Sequence, residues 1–366
     1  MKFLNLRDHM SFGVSLLVLL ILILFPFMGA IAADFETEQK NLYNAAKAEG
    51  KVVLYTSADS PAVQRMFKVF QEKYPGIKTE VYRAGSGTVL EKLMSEHEAK
   101  IYSADVLLFH STNAWYDMKQ KGMLLYYDSP VFNEYPKYAQ DRGYTISARS
   151  MANFHGYNVN LVPQKLAASL QTFEDWVRLA EQKEYRGRFG SQDIATGGGI
   201  ENIFAVFNKH GEEKVKSWYR RLFAAGLRLV EGGAAQINNL ASGQDAFSFF
   251  IPSARFPEAF DKGAPVSFVV FKDGQAVFLS PMSVYGKSQH PNAAKLLFNW
   301  WTSREGQALV VETTGSYSFL PGLPPPKGFP PLSELNLMQV PMDRWEDIGR
   351  RTDDIVKFVD QLKQSK

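Results

Sequence analysis

An α/β fold class follows from two features of the chain. Helix-type and strand-type hydrophobic patterns alternate from end to end, and the short strand-like runs are rich in β-branched and aromatic residues. With 366 residues, 45% hydrophobic and 22% charged, the composition is that of a globular protein long enough for two lobes of ordinary domain size. A formal net charge of +3 is too small to imply nucleic acid or an anionic membrane surface as partner.

The clearest stretch runs from Lys51 to Glu98. Lys51 to Tyr55 reads as a buried strand and Thr56 to Asp59 as a polar loop; Ser60-Pro61 then supplies an N-cap and a proline at the first helical position. Val63, Met66, Phe67 and Phe70 fall on one helical face, and Pro75-Gly76 ends that helix. Ile77 to Tyr82 alternates as a second strand. Gly85-Ser86-Gly87-Thr88 leads into a second helix, where Thr88 and Glu91 are spaced as a capping box. Before this unit, Glu36 to Glu49 predicts a short helix ended by Gly50. After it, Ala104 to Phe109 predicts a third buried strand, with His110 to Asn113 as a loop at its carboxyl end. In open α/β sheets, ligands bind at that edge.

Ala114 to Lys121 reads as a helix, and Met123 to Tyr127 carries the chain onward. Ser129 to Tyr144 lacks periodicity, as a connection between lobes would. Phe154 to Val159, Ala246 to Ile251, Val266 to Phe271 and Ala276 to Ser280 are strand-like. Thr172 caps a helix within Leu170 to Gln182. Ile200, Ile203, Phe204 and Phe207 form the buried face of the next, and Val215, Trp218, Tyr219 and Leu222 repeat that spacing. Pro291 to Thr302 is a helix burying Leu296, Leu297 and Trp300, Glu305 opens another, and Pro321 to Pro331 is irregular. A final helix aligns Ile355, Phe358, Val359 and Leu362.

At the N-terminus, Lys2 and Arg7 precede an apolar run from Phe12 to Phe27, and Ala30-Ile31-Ala32 has the small-residue cleavage pattern. The reading is a signal peptide cut after Ala32; an uncleaved anchor is the alternative, since about 18 apolar residues suffice to span a bilayer. With no cysteine, the chain has neither disulfides nor a lipid-modified cysteine anchor. A Gram-negative periplasm is the compartment that suits such a protein.

Three passages resemble the periplasmic solute-binding proteins of ABC importers, in the branch with ferric-ion, thiamine, putrescine, phosphonate and sugar-phosphate binders. They are Lys51 to Gly87, Thr172 to Gly187 (TFEDWVRLAEQKEYRG) and Ser288 to Gln307 (SQHPNAAKLLFNWWTSREGQ). The resemblance implies the two-lobe, type II periplasmic-binding-protein fold, with ligand held in a cleft closed by hinge motion. It divides the chain into a signal peptide (1–32), lobe one (33–126, returning at 282–320), lobe two (127–281) and a C-terminal tail and helix (321–366). Its partners would be a small-molecule ligand and the permease subunits in the inner membrane.

The same resemblance turns Gly85, Ser86, Gly87 and Thr88, and likewise Thr196, Gly197, Gly198 and Gly199, into candidate ligand loops at helix N-termini. Taken alone, Gly-Ser-Gly-Thr is an ordinary turn and cap. Exposed N–H groups and the helix dipole suit an anion there, and glycines let backbone approach it. Ser57 and Ser111, on the other strand-end loops, join them. Arg255 could clamp a carboxylate or phosphate, or serve a surface salt bridge; Asp193 could read an ammonium or hydroxyl. Ferric binders of this branch use two adjacent tyrosines where Pro252 and Ser253 stand here, which argues against iron. Tyr126-Tyr127 lies elsewhere and reads as packing. Asp59 and His110 read as solvated loop residues or remnants of a metal site, and the histidines show no ligand spacing, so no metal and no cofactor is expected. No nucleophile elbow, cysteine nucleophile or metal cluster supports an enzyme. The expected function is capture of a small anionic organic solute (phosphonate, phosphate ester or carboxylate) for an importer; a ferric-ion or ferric-complex binder of the same family is one alternative, and a ligand sensor docking on a receptor is the alternative from another class.

Overall fold

The computed structural model describes residues 35–195 and 198–365, so the leader segment, Thr196 and Gly197 lie outside it. Helix α1 (residues 35–49) ends at Gly50, whose φ of 72° suits glycine. Then come β1 (Lys51–Thr56), α2 (Ser60–Lys73), β2 (Lys78–Arg83), α3 (Ser86–Glu98), β3 (Val106–Leu108) and α4 (Thr112–Gln120). Strand β1 pairs in parallel with both β2 and β3, so all three carboxyl ends share one edge.

Past two short 3-10 turns come β4 (Gln140–Asp141) and the long β5 (Thr145–Asn158). Lobe two then runs through α5 (Gln164–Ser169), α6 (Phe173–Glu181), β6 (Phe189–Gln192), α7 (Gly198–His210), α8 (Glu212–Ala224), β7 (Arg228–Val230) and α9 (Gly232–Ala241). It continues with β8 (Phe247–Pro252), α10 (Phe256–Asp261) and β9 (Val266–Val269). Strand β10 (Gln275–Val284) leads back to α11 (Pro291–Thr302), α12 (Arg304–Thr314), β11 (Leu337–Met338) and α13 (Trp345–Gln364).

One mixed sheet runs in the order β2-β1-β3-β10-β5-β8-β6-β7, with β4 and β9 against β5 and β11 against β10. Its left half is lobe one and its right half lobe two. The antiparallel pair β5 and β10 belongs to both, so these two strands carry the chain between the lobes. The apolar faces read from the sequence are buried as expected. Val63, Met66, Phe67 and Phe70 of α2 and Leu296, Leu297 and Trp300 of α11 pack beneath lobe one. Phe173, Trp176, Phe247 and Phe249 form an aromatic core in lobe two. Burying each such side chain contributes about 1.5–3 kcal/mol.

Several local expectations differ. The crossing is made by β5, not by residues 129–144. Tyr127 is a packing residue, its hydroxyl donating to Glu38 at 2.6 Å and accepting from Asn299 at 2.7 Å. Helix α2 is capped by Asp59 rather than Ser60. The Thr88–Glu91 capping box does not form, because the helix begins earlier: Gly85 is the N-cap and Ser86 the first helical residue. Where a capping box does form, at Thr172 and Asp175, both reciprocal bonds are present.

Candidate functional site

The register of the two crossover strands locates the cleft. Strand β3 ends at Leu108, level with Met282 of β10 and so with Ile146 of β5. From the other side, β8 ends at Pro252, level with Asn153 of β5. Seven residues of β5, about 23 Å at roughly 3.3 Å per residue, separate those levels. The carboxyl edges of the two half-sheets therefore face each other across the middle of β5, the switch-point geometry where α/β proteins bind ligands.

The floor of this cleft is Arg149. In the middle of β5, Ala148, Ser150 and Ala152 are buried while Arg149 and Met151 are half-exposed, the alternation of a strand with one face toward an opening. Arg149 pairs with Ser280 of β10, and the register slips beside them, between Ser280 and Pro281, as at a β-bulge. Cross-strand partners share a face. Arg149 Nε and Ser280 Oγ are both buried without a hydrogen-bond partner, and Arg149 makes no ion pair among the described residues. Burial lowers the pKa of the Arg149 guanidinium; Asp59 opposes the drop, while Arg255 and Arg83 add to it. So Arg149 on the hinge feels the charge of Arg83 from lobe one and of Arg255 from lobe two, with Asp59 opposing them. Asp59 Oδ1 lies 3.6 Å from the Arg83 guanidinium, leaving Arg149 and Arg255 without a carboxylate partner among the described residues.

The lobe-one candidates line the same edge. Ser57 follows β1, its N–H donating to the Leu108 carbonyl at 3.1 Å. Gly85, Gly87 and Thr88 are exposed and Ser86 half-buried at the start of α3; a β-carbon on Gly85 or Gly87 would meet nothing within 4 Å. Ser111 is the N-cap of α4. Helices α2, α3 and α4 follow the carboxyl ends of β1, β2 and β3. None of the three has a side-chain capping bond or an acidic residue in its first turn. The Asp59 carboxylate stands at the N-cap of α2, whereas the starts of α3 and α4 have no carboxylate at the cap or in the first turn, which favours an anion there.

His110 closes this edge. Its Nδ1 donates to the Leu279 carbonyl of β10 at 3.2 Å, and its Nε2 lies 3.2 Å from Glu201 Oε2 in the first turn of α7. That is a contact between the lobes, and it becomes a hydrogen bond when the pair holds a proton. Burial pulls the imidazole down to about 4, with the Leu279 bond opposing and the Arg149 charge adding to the drop.

The lobe-two candidates are more enclosed. A β-carbon on Gly198 would sit 2.5 Å from the Phe278 ring of β10, so α7 begins pressed against the crossover strand. Gly199 is required by close approach: a β-carbon there would lie 2.0 Å from the Asp193 carbonyl oxygen. Asp193 accepts from Ala195 N–H at 3.0 Å, and its other oxygen is 3.5 Å from Lys363 of α13. Ser253 is fully buried, donating to the Gly315 carbonyl at 3.4 Å. Arg255 is exposed at the end of β8, its stem beside Gly233 of α9.

Arg149, Arg83 and the inter-lobe role of His110 were not anticipated as binding features. A signal for Arg149 existed: it is the sole Arg, Lys, Asp or Glu in the stretch Thr145–Asn158. Among the described residues, no group of three His, Cys, Asp or Glu side chains is arranged to hold a metal. No helix among them is long and apolar enough to cross a membrane.

This architecture is that of a two-lobe binding protein. A family model for bacterial extracellular solute-binding proteins matches residues 65–333, and the chain belongs to that family, which serves transport rather than catalysis. An uncharacterised protein of Haemophilus influenzae is 24% identical over 331 residues, covering 88% of this chain and 93% of that one. Among solved structures, iron-bound HitA from Pseudomonas aeruginosa superposes with a TM-score of 0.71 at 19% identity, covering 85% of this chain and 99% of HitA. The periplasmic binding protein AfuA from Actinobacillus pleuropneumoniae, with fructose-6-phosphate bound, superposes with a TM-score of 0.70 at 20% identity, covering 86% and 99%. The protein is a bacterial extracellular solute-binding protein, with iron-bound and fructose-6-phosphate-bound proteins among its structural neighbours.

Proposed function

We propose that this protein captures a small anionic organic solute, a phosphate ester, phosphonate or carboxylate, and presents it to the permease subunits of an ABC importer. The observation that carries the reading is the half-buried, unpaired Arg149 on the crossover strand, with the unsatisfied Ser280 hydroxyl beside it. Arg83, Arg255 and the starts of α3 and α4, which have no carboxylate at the cap or in the first turn, add positive potential around it. A site with two guanidinium groups lacking carboxylate partners suits a ligand with two negative charges, and the fork of an arginine suits two oxygens on one centre. Ser57, Gly85 to Thr88 and Ser111 would donate from lobe one, and Arg255 from lobe two.

On this reading lobe one comprises residues 33–126 and 282–320, lobe two residues 127–281, and the leader is cut after Ala32 to release the protein into the periplasm. Iron is disfavoured because Ser253, at one of the two tyrosine positions, spends its hydroxyl on Gly315.

A thermal-shift screen of residues 33–366 tests the proposal, with phosphonates, sugar phosphates, dicarboxylates, polyamines, thiamine and Fe³⁺ with and without citrate. A ligand of the folded state at 100 times its dissociation constant adds about 2.7 kcal/mol. A shift with one anion class supports the reading and names the class. A shift confined to Fe³⁺ or to polyamines overturns it.

A further inference from the structure

The C-terminal helix α13 lies beyond residue 333, where the family match ends, and it touches three parts of the molecule. At its start, Glu346 lies near the Tyr116 side chain of α4 in lobe one, and the body of α4 packs along the helix. Next, Trp345 and Ile348 line a small cavity together with Val277 and Leu279 of β10, the return crossover, and Glu201 and Ala205 of α7. From there onward it belongs to lobe two. Arg351 pairs with Glu212 of α8, its guanidinium 5.6 and 5.9 Å from the ring centres of Phe204 and Phe207 in α7. Phe358 is covered by Lys216 and Arg220 of α8 at 5.5 and 5.8 Å, and Lys363 reaches Asp193 at 3.5 Å. Twenty residues of helix span about 30 Å, enough to bridge the cleft beside the hinge.

Toward lobe two the helix buries Ile355, Phe358, Val359 and Leu362 and adds two ion pairs. Toward lobe one it packs along α4, with Tyr116 of α4 set beside Glu346 and Arg350. We propose that α13 is a brace across the hinge: it is packed on α4 of lobe one and on α7 and α8 of lobe two, so it sets how far the cleft opens. A third connection beside β5 and β10 biases the open-to-closed equilibrium without touching ligand. Because Lys363 ends on Asp193, the brace also steadies the loop leading into α7, whose Glu201 meets His110 across the cleft.

The inference rests on the hinge reading above but not on the identity of the ligand, so it is tested without one. The chain has no cysteine, so Lys68→Cys on lobe one and Lys183→Cys on lobe two give a unique pair for spin labels. Both residues are exposed and far in sequence from α13. The inter-lobe distance distribution is measured by pulsed electron resonance in the otherwise unaltered chain, in Y116A/E346A, and in R351E with and without E212R. Loosening the lobe-one contact should move the open-to-closed ratio about 5-fold, seen as growth of the longer-distance population. R351E should do the same, and the added E212R should restore the parent distribution. Superimposable distributions in Y116A/E346A and R351E, with helical content unchanged by circular dichroism, would overturn the brace. A null ligand screen alongside shifted distributions would sink the anion reading and leave the brace standing.

Discussion

Arg149→Met offers the sharpest test of the cleft, because function and stability should move in opposite directions. In the ligand-free protein Arg149 is a half-buried cation without a carboxylate partner, and Arg83 and Arg255 add like charge. Replacing buried ionic groups by apolar ones of similar volume stabilises proteins by about 1–4 kcal/mol. Partial exposure places this site toward the low end, about 1–2 kcal/mol. With an unfolding entropy of roughly 2.1 cal/mol/K per residue, that raises Tm by about 1–3 °C in a protein of this size. Ligand binding should suffer in return. Truncating one partner of a desolvated charge pair costs about 2–5 kcal/mol, so the affinity for the anion found in the screen should fall by roughly 30-fold or more. Arg149→Lys should land between, keeping the charge and losing the fork. Denaturant unfolding of the free protein and calorimetric titration of the ligand read the two effects separately. A variant that is less stable when empty and binds within about threefold of the parent would make Arg149 a structural residue and remove the proposed floor of the site.

Three further outcomes concern the scaffold. Gly306→Ala should destabilise by more than about 2 kcal/mol in denaturant unfolding, since its β-carbon would lie 2.2 Å from the Trp300 carbonyl and 2.6 Å from that of Trp301; an unchanged midpoint would contradict the close approach of α12 to α11. Asp105→Asn should cost about 2–4 kcal/mol by the same assay, because the buried carboxylate accepts from Val53 N–H, Ser288 Oγ and both His290 N–H and Nδ1 at 2.7–3.2 Å; a loss below 1 kcal/mol would show the network to be redundant. His155 is stacked on Phe271 at 3.6 Å with both ring nitrogens unpartnered, and burial holds its pKa well below the usual value. The unfolded chain therefore binds the proton that the folded one refuses, so this residue's share of stability is lost as pH falls below about 6.5. Between pH 7 and 5.5 that share is about 1.3 kcal/mol, and His155→Phe should flatten the stability–pH profile by this amount; parallel profiles for the two proteins would refute it.

The sequence carried the scaffold better than the site, for a physical reason. Helix faces are written in periodicity, so the buried stripes of α2, α7, α8 and α11 could be read directly from spacing. The α11–α12 corner carried its own signature, since Gly306 is the residue that lets the two helices touch. The boundaries read less well. The run from Thr145 to Phe154 lacks clear alternation because β5 is buried between neighbours along most of its length, and a strand covered on both faces has no polar side to reveal. Missing it displaced the first crossing toward residues 129–144 and hid Arg149. In the capping boxes, Thr172 was legible because local bonds decide it. At Thr88 the same pattern failed because the helix starts at Ser86.

What spacing cannot encode is which loops meet across the gap. The lobe-one loops lie open along one edge, while Gly198, Asp193 and Ser253 of lobe two are already engaged by Phe278, Lys363 and Gly315. A site built as two equal helix-start cradles is therefore the weaker geometry; an asymmetric one, with an open lobe-one edge over a charged hinge, fits the contacts better. Position matters to mechanism here. Arg83 and Arg255 ride on opposite lobes, and both add to the positive field at Arg149. In the empty protein that like charge resists closure. A doubly charged ligand reverses the sign of the interaction, so the residues that hold the lobes apart become those that draw them together. Ligand charge, rather than contact area alone, would then drive the hinge, and a neutral analogue of the same shape should bind without closing it. Comparing inter-lobe distances with the anion and with its uncharged analogue separates the two cases: closure by the neutral compound at saturation would mean that shape, not charge, moves the lobes.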